Sequence, residues 1–152
     1  MTEPVSFGSS TSRYQLPLLF SGQAQKEFYV NGAISSLDLL VHTTVSGLRE
    51  SPPASPGEDE VWLVSTNPQG DWIGHVEKIA RFSSGAWRFI NPRPGMRIFN
   101  DETGQFLHFD TTWKAASSPA SPQGGATIDV EARGTIDELI ALLQDSGILR
   151  RA

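Results

Sequence analysis

The chain of 152 residues contains no cysteine. That excludes disulfides and a thiolate zinc site, leaving any structural zinc to rely on three scattered histidines, His42, His75 and His108. Long basic runs are missing too. Lys and Arg number 12 against 17 Asp and Glu, a formal charge of -5. Nucleic-acid binding normally needs a basic stripe that displaces counterions, and this balance argues against it. No run of like charge exceeds Glu58-Asp59-Glu60, so a polybasic membrane patch is also excluded. No apolar stretch nears the roughly 20 residues of a bilayer span. The first ten residues have neither the basic region nor the apolar region of a secretory signal. The expectation is synthesis in the cytoplasm, without membrane insertion.

What is present suggests an α+β fold: an N-terminal helical segment, a small antiparallel β-meander rich in aromatics, and a C-terminal helix on a flexible linker. Residues 1–13 are polar and rich in Ser and Thr, and read as a flexible arm. Residues 14–50 hold a short apolar plug, Leu16-Pro17-Leu18-Leu19-Phe20, and then a helical stretch from Gly22 to Ser46. Within it Asn31 is a good N-cap; Ile34, Leu37, Leu40, Val41 and Val45 recur at helical steps, and Gly47 would stop the helix. Pro52, Pro53 and Pro56 then make a connector.

Over 58–114 the texture becomes β. Strands are expected at 60–65, 75–82, 86–90, 96–100 and 105–109, separated by Gly- and Pro-containing turns. All four tryptophans and nine of the fourteen aromatics fall between Trp62 and Trp113. Residues 115–126 form a low-complexity linker, and 127–152 a closing helix. That helix starts either near Asp129 or at the capping box Thr135-Ile136-Asp137-Glu138, and Gly147 ends it. Its apolar stripe could pack on the sheet or on another copy.

Trp72, Trp87 and Trp113 sit at or beside turns, and an exposed indole face can stack on a pyranose. They are candidates for a glycan platform, although large residues are also what a thin sheet needs for its core. Trp72, flanked by Gly70, Asp71 and Gly74, reads as the most exposed. Asp101 and Glu102, or Glu58, Asp59 and Glu60, could supply the acid pair of a glycosidase, but both groups lie in turn-like segments where acids serve solubility. Ser83-Ser84-Gly85 lacks the strand-to-helix setting of a nucleophile elbow. The histidines show no ligand spacing. No catalytic, cofactor or metal constellation emerges, and the chain does not read as an enzyme.

The stretch from Leu16 to Asn31 resembles the Leu-Pro-Leu-Leu…Gly-Gln-Ala-Gln-Lys-Glu…Asn signature of a domain-of-unknown-function family found in alphaproteobacterial phages, prophages and gene transfer agents. The likeness runs from Tyr14 to Leu149, specific over Leu16–Asn31 and textural in the sheet. It implies a virion structural protein in the head spike or fibre apparatus, made in the bacterial cytoplasm and carried in the particle. Family members also form N-terminal portions of longer fibre-like proteins, and without a long shaft this chain fits a base or adaptor supporting host attachment. Partners would be capsid or fibre/spike subunits and further copies of the chain, closing into a homo-oligomer. Docking would fall on Leu16, Leu18, Leu19, Phe20, Gln23, Gln25, Lys26, Glu27 and Asn31. The rival reading is a carbohydrate-binding module for capsular or cell-wall polysaccharide.

Overall fold

The computed structural model describes residues 9–22, 26–121, 123–125 and 129–150. The chain divides into two compact units, Met1–Thr43 and Thr44–Ala152. It is an α+β protein, with two α-helices and eight strands among the described residues.

The first unit is built on helix α1, Lys26–Leu40. It begins five residues before the expected cap, because the Asn31 side chain is used elsewhere. Its Oδ1 accepts from the Leu19 amide at 2.8 Å, and its Nδ2 donates to the Leu19 carbonyl at 3.0 Å. The helix also stops early. His42 takes a positive φ of 51°, and the Arg13 guanidinium donates to the carbonyls of Asp38, Leu39 and His42 at 3.2, 3.0 and 2.9 Å. A cation on the last free carbonyls is favoured by hydrogen bonding and by the helix dipole. The expected stripe is not the buried face: Leu37, Leu40 and Val41 are exposed, while Asp38 and Leu39 are buried. Asp38 turns inward because its carboxylate accepts from Thr11 Oγ1 at 2.6 Å, the Tyr14 amide at 2.9 Å and the Arg13 amide at 3.2 Å.

The second unit holds two four-stranded sheets and a helix. Its strands are β1 Thr44–Val45, β2 Leu48–Arg49, β3 Val61–Val64, β4 Ile79–Ser83, β5 Ala86–Ile90, β6 Arg97–Asn100, β7 Gln105–Phe109 and β8 Trp113–Ala115. One sheet has the order β2-β3-β4-β5, the other β1-β6-β7-β8. Each contains an antiparallel meander of three consecutive strands, with a two-residue parallel strand added at its edge. The first of them, β1, comes from the stretch expected to be helical, and β2 follows the glycine at which that helix is expected to stop. Val45 is fully buried, and the chain crosses from one sheet to the other through Gly47. A Cβ there would sit 2.6 Å from Glu102 Oε2 and 3.2 Å from the Trp62 ring. Gly47 thus stands in a close-packed crossing between two strands and not at the end of a helix.

The β4–β5 connection is a two-residue hairpin, with positive φ at Ser84 and Gly85 of 53° and 75°, the twist-matched turn such hairpins prefer. Helix α2 spans Val130–Asp145, capped by Asp129, whose side chain accepts from the Ala132 amide at 2.9 Å. The cap at Asp129 is therefore the one used, and the helix continues through Gly134. At its end Ile148 N–H donates to the Leu143 carbonyl and Gly147 N–H to the Gln144 carbonyl. This pair is the Schellman pattern, and Gly147 supplies the positive φ of 71°.

Candidate functional site

In the sheet β2-β3-β4-β5 the core is a cluster of Val64, Trp72 and Ala80, with Trp62, Trp87 and Phe89 packed against it. Alternation along β5 sends Trp87 and Phe89 to this side and leaves Arg88 exposed. Trp72 belongs to the interior, not to the surface where its glycine-flanked setting placed it. A single 3-10 turn, Gly70–Trp72, folds the indole inward until it is fully buried. It meets Trp87 edge-to-face, with ring centres 5.0 Å apart.

Trp87 is half-buried and forms one wall of an open cleft of about 520 Å³. Phe82 and Phe89 continue the aromatic wall, Pro52 and Pro53 oppose it, and Asp71 supplies a carboxylate. A cleft of this volume is within the range of small-ligand sites. His75 lies flat on Phe89, ring centres 3.6 Å apart and nearly parallel. Its Nδ1 is 3.2 Å from Lys78 Nζ. Burial, and secondarily the Lys78 charge, hold the imidazole below its ordinary pKa of 6.5.

Trp113 does not join Trp87. It packs edge-to-face on Phe109 at 5.1 Å, and its Nε1 donates to the Glu77 carbonyl at 2.9 Å. The three tryptophans of the expected platform therefore occupy a core, a cleft wall and a separate packing site.

Glu58, Asp59 and Glu60 are each engaged within the second unit. Asp59 pairs with the buried Arg81. Glu58 accepts from the Ser84 amide at 2.8 Å. Glu60 accepts from the Gly57 amide and from Trp62 Nε1, both at 2.7 Å. Asp101 and Glu102 are exposed in the β6–β7 turn. His108 is exposed on β7, and His42 lies 3.0 Å from the Tyr14 hydroxyl in the first unit. Among the described residues no three His, Asp or Glu side chains converge as metal ligands. No described helix is long and apolar enough to cross a membrane.

The plug folds back on its own unit. The Thr11 amide donates to the Leu16 carbonyl at 2.9 Å, and the Leu18 amide to the Ser9 carbonyl at 3.0 Å. Leu16, Leu18 and Leu19 are half-buried, whereas Phe20 is exposed. Asn31 holds the plug, Glu27 Oε1 accepts from the Gly22 amide at 3.1 Å, and Lys26 is exposed at the start of α1. Gln23 and Gln25 lie outside the described residues, as do residues 1–8 of the arm. The remaining arm residues are tied down through Thr11 and Arg13. Asp38 and Arg13, which organise this unit, were not singled out by sequence. An acid inside an apolar stretch, Leu37-Asp38-Leu39-Leu40, was the available signal.

Both helices carry apolar side chains that face outward. On α1, Phe28 and Tyr29 are 71% and 77% exposed, in edge-to-face contact with one another. On α2 no residue is buried, and Leu139 and Leu142 are 55% and 65% exposed.

A family model described as "Protein of unknown function (DUF2793)" matches residues 30–114. The match spans the greater part of α1, the aromatic cluster and nearly all of both sheets. No curated protein and no solved structure matches the chain.

Proposed function

The chain belongs to the DUF2793 family of proteins of unknown function, and on that premise we propose that it is a virion structural protein of a phage-like particle. It is a head-spike or fibre base, or an adaptor, that supports attachment to the host surface. The observation that carries this reading is the apolar surface of its two helices. Phe28, Tyr29, Leu139 and Leu142 are each more than half exposed, and apolar patches on a small protein mark association surfaces. The Leu16–Asn31 signature supports the phage-like setting, and the engagement of Glu58, Asp59 and Glu60 in structural hydrogen bonds supports a non-enzymatic part. Its partners are capsid or fibre/spike subunits and further copies of itself, in a particle assembled in the bacterial cytoplasm.

The test uses light scattering on the full chain with Leu139→Asp and Leu142→Asp, and separately with Phe28→Asp. These side chains already face solvent, so each change should alter monomer stability by no more than about 0.5 kcal/mol. The wild type should be oligomeric, and the variants should lose oligomer mass or incorporation into particles while unfolding normally. A monomeric wild type that is absent from purified particles would refute the reading.

The aromatic cleft favours the second reading, a carbohydrate-binding module, because Trp87, Phe82 and Phe89 give stacking faces beside the Asp71 carboxylate. It predicts that capsular polysaccharide perturbs tryptophan fluorescence in a monomer and that Trp87→Ala abolishes the effect. Absence of any saturable response removes this reading.

A further inference from the structure

The sheet β2-β3-β4-β5 ends on β5, which has a neighbouring strand on one side only. With five residues β5 is also the longest of the edge strands; β1 and β2 have two each and β8 has three. Its register decides which main-chain groups are free. Phe82 N–H donates to the Glu60 carbonyl at 2.9 Å and Val64 N–H to the Lys78 carbonyl at 3.0 Å, so even positions from Lys78 to Phe82 turn toward β3. The odd positions Ile79, Arg81 and Ser83 turn toward β5, where they face Ile90, Arg88 and Ala86. The amides and carbonyls of Trp87 and Phe89 therefore point out of the sheet edge. They have no main-chain partner among the described residues.

Edges of this kind recruit another strand unless proline, lysine or a bulge blunts them. β5 contains neither proline nor lysine, and it pairs with β4 residue for residue. Its two faces differ. Trp87 and Phe89 lie on one, walling the aromatic cleft opposite Pro52 and Pro53. Arg88 lies on the other, where it is exposed and forms no ion pair among the described residues. Its cross-strand neighbour Arg81 is already matched by Asp59.

We propose that β5 accepts an extended segment of a partner protein as a fifth, antiparallel strand, with the pattern apolar–acidic–apolar at three successive residues. The two apolar residues stand opposite Phe89 and Trp87, exchange N–H···O bonds with them and send their side chains into the cleft. The acidic residue between them stands opposite Arg88, in the close cross-strand pair where opposite charges attract and like charges repel. The same rule disfavours a second copy as the occupant. Two β5 strands paired antiparallel through all of these free groups would set Arg88 against its own counterpart. Strand addition draws affinity from main-chain bonds and selectivity from alternate side chains, and this edge offers both. The inference rests on neither functional reading above.

The experiment titrates the peptide acetyl-Thr-Val-Glu-Val-Thr-amide into ¹⁵N-labelled full chain. In the free chain the Trp87 and Phe89 amide hydrogens should exchange rapidly, while that of Arg88, which faces β4, is protected. The peptide should shift the Trp87 and Phe89 amides saturably and slow their exchange. N-Methylation of both valines removes the donors that face β5 and should weaken binding at least about tenfold. N-Methylation of the glutamate, whose N–H points away, should leave binding within about twofold. Lysine in place of the peptide glutamate should cost about tenfold, and Arg88→Glu, an exposed change, should reverse that preference. No saturable shift at Trp87 and Phe89, equal binding of the two methylated peptides, or an unchanged preference in Arg88→Glu would overturn the proposal. Protection of these two amides in the free chain would also overturn it. Protection lost on dilution would put a second copy on the edge, and protection retained would put a segment of the chain itself there.

Discussion

Trp72→Ala should lower the unfolding free energy of the second unit by about 3–5 kcal/mol, the usual cost of emptying a core site of a large aromatic. The side chain is fully buried between Val64, Ala80 and Trp87. Removing roughly 150–250 Å² of aromatic surface from the core forfeits about 4–6 kcal/mol at ~25 cal/mol per Å², an upper bound. The edge-to-face contact with Trp87 adds about 1 kcal/mol. One feature works in the opposite direction: the indole Nε1 is buried with no acceptor among the described residues. Deleting that donor returns about 1–3 kcal/mol, which brings the net loss into the stated range.

The same orphan donor makes Trp72→Phe the discriminating variant. Phenylalanine keeps a ring against Trp87 and leaves a cavity costing about 1 kcal/mol, offset by removal of the unpaired N–H. The pair should therefore differ by more than about 2 kcal/mol. Urea unfolding followed by far-UV circular dichroism measures this, with an unchanged m-value showing that the same transition is compared. If both substitutions cost less than about 1 kcal/mol, the indole is exposed as its sequence setting suggests, and the buried geometry is refuted. If phenylalanine costs as much as alanine, the argument from the unpaired donor fails.

Asp38→Ala removes the acceptor of three hydrogen bonds, and leaving buried donors unsatisfied should destabilise the first unit by about 3 kcal/mol or more. Accelerated proteolysis between residues 9 and 43, with the second unit intact, would show it. Gly147→Ala places a side chain at a φ of 71° and 3.2 Å from Phe99 Cε2; it should cost at least about 1 kcal/mol in urea unfolding, whereas an unchanged midpoint would refute the cap. His75 has its pKa lowered in the folded state by burial and by Lys78, so the unfolded chain takes up a proton first as the pH falls. Its contribution to stability is therefore full above 6.5 and declines as the pH drops below that value toward the folded pKa. In pH-dependent unfolding, His75→Gln should show a flatter profile than wild type across that window; identical profiles would rule this out.

Local chemistry made much of this protein legible from sequence. Short runs rich in aromatic and β-branched residues, separated by turns containing Gly and Pro, located β3, β5, β6 and β7 closely, because such residues suit a pleated surface and such turns end it. Gly147 marked the end of α2 and Asp129 was one of its two candidate starts, because capping is a matter of neighbouring backbone groups. Positions settled by distant partners could not be read this way. Asn31 has the composition of a cap but serves a loop twelve residues back. Asp38 looks like a solvated acid until Thr11, Arg13 and Tyr14 reach it. Val45 continues a helical pattern, yet pairs with a residue 55 positions away along the chain. Trp72 differs most from its sequence setting, since one 3-10 turn decides whether an indole between glycines faces water or the core. The aromatic cleft belongs to the same category: residue types determine what each side chain can donate, accept or stack upon, and only tertiary packing decides which of them meet.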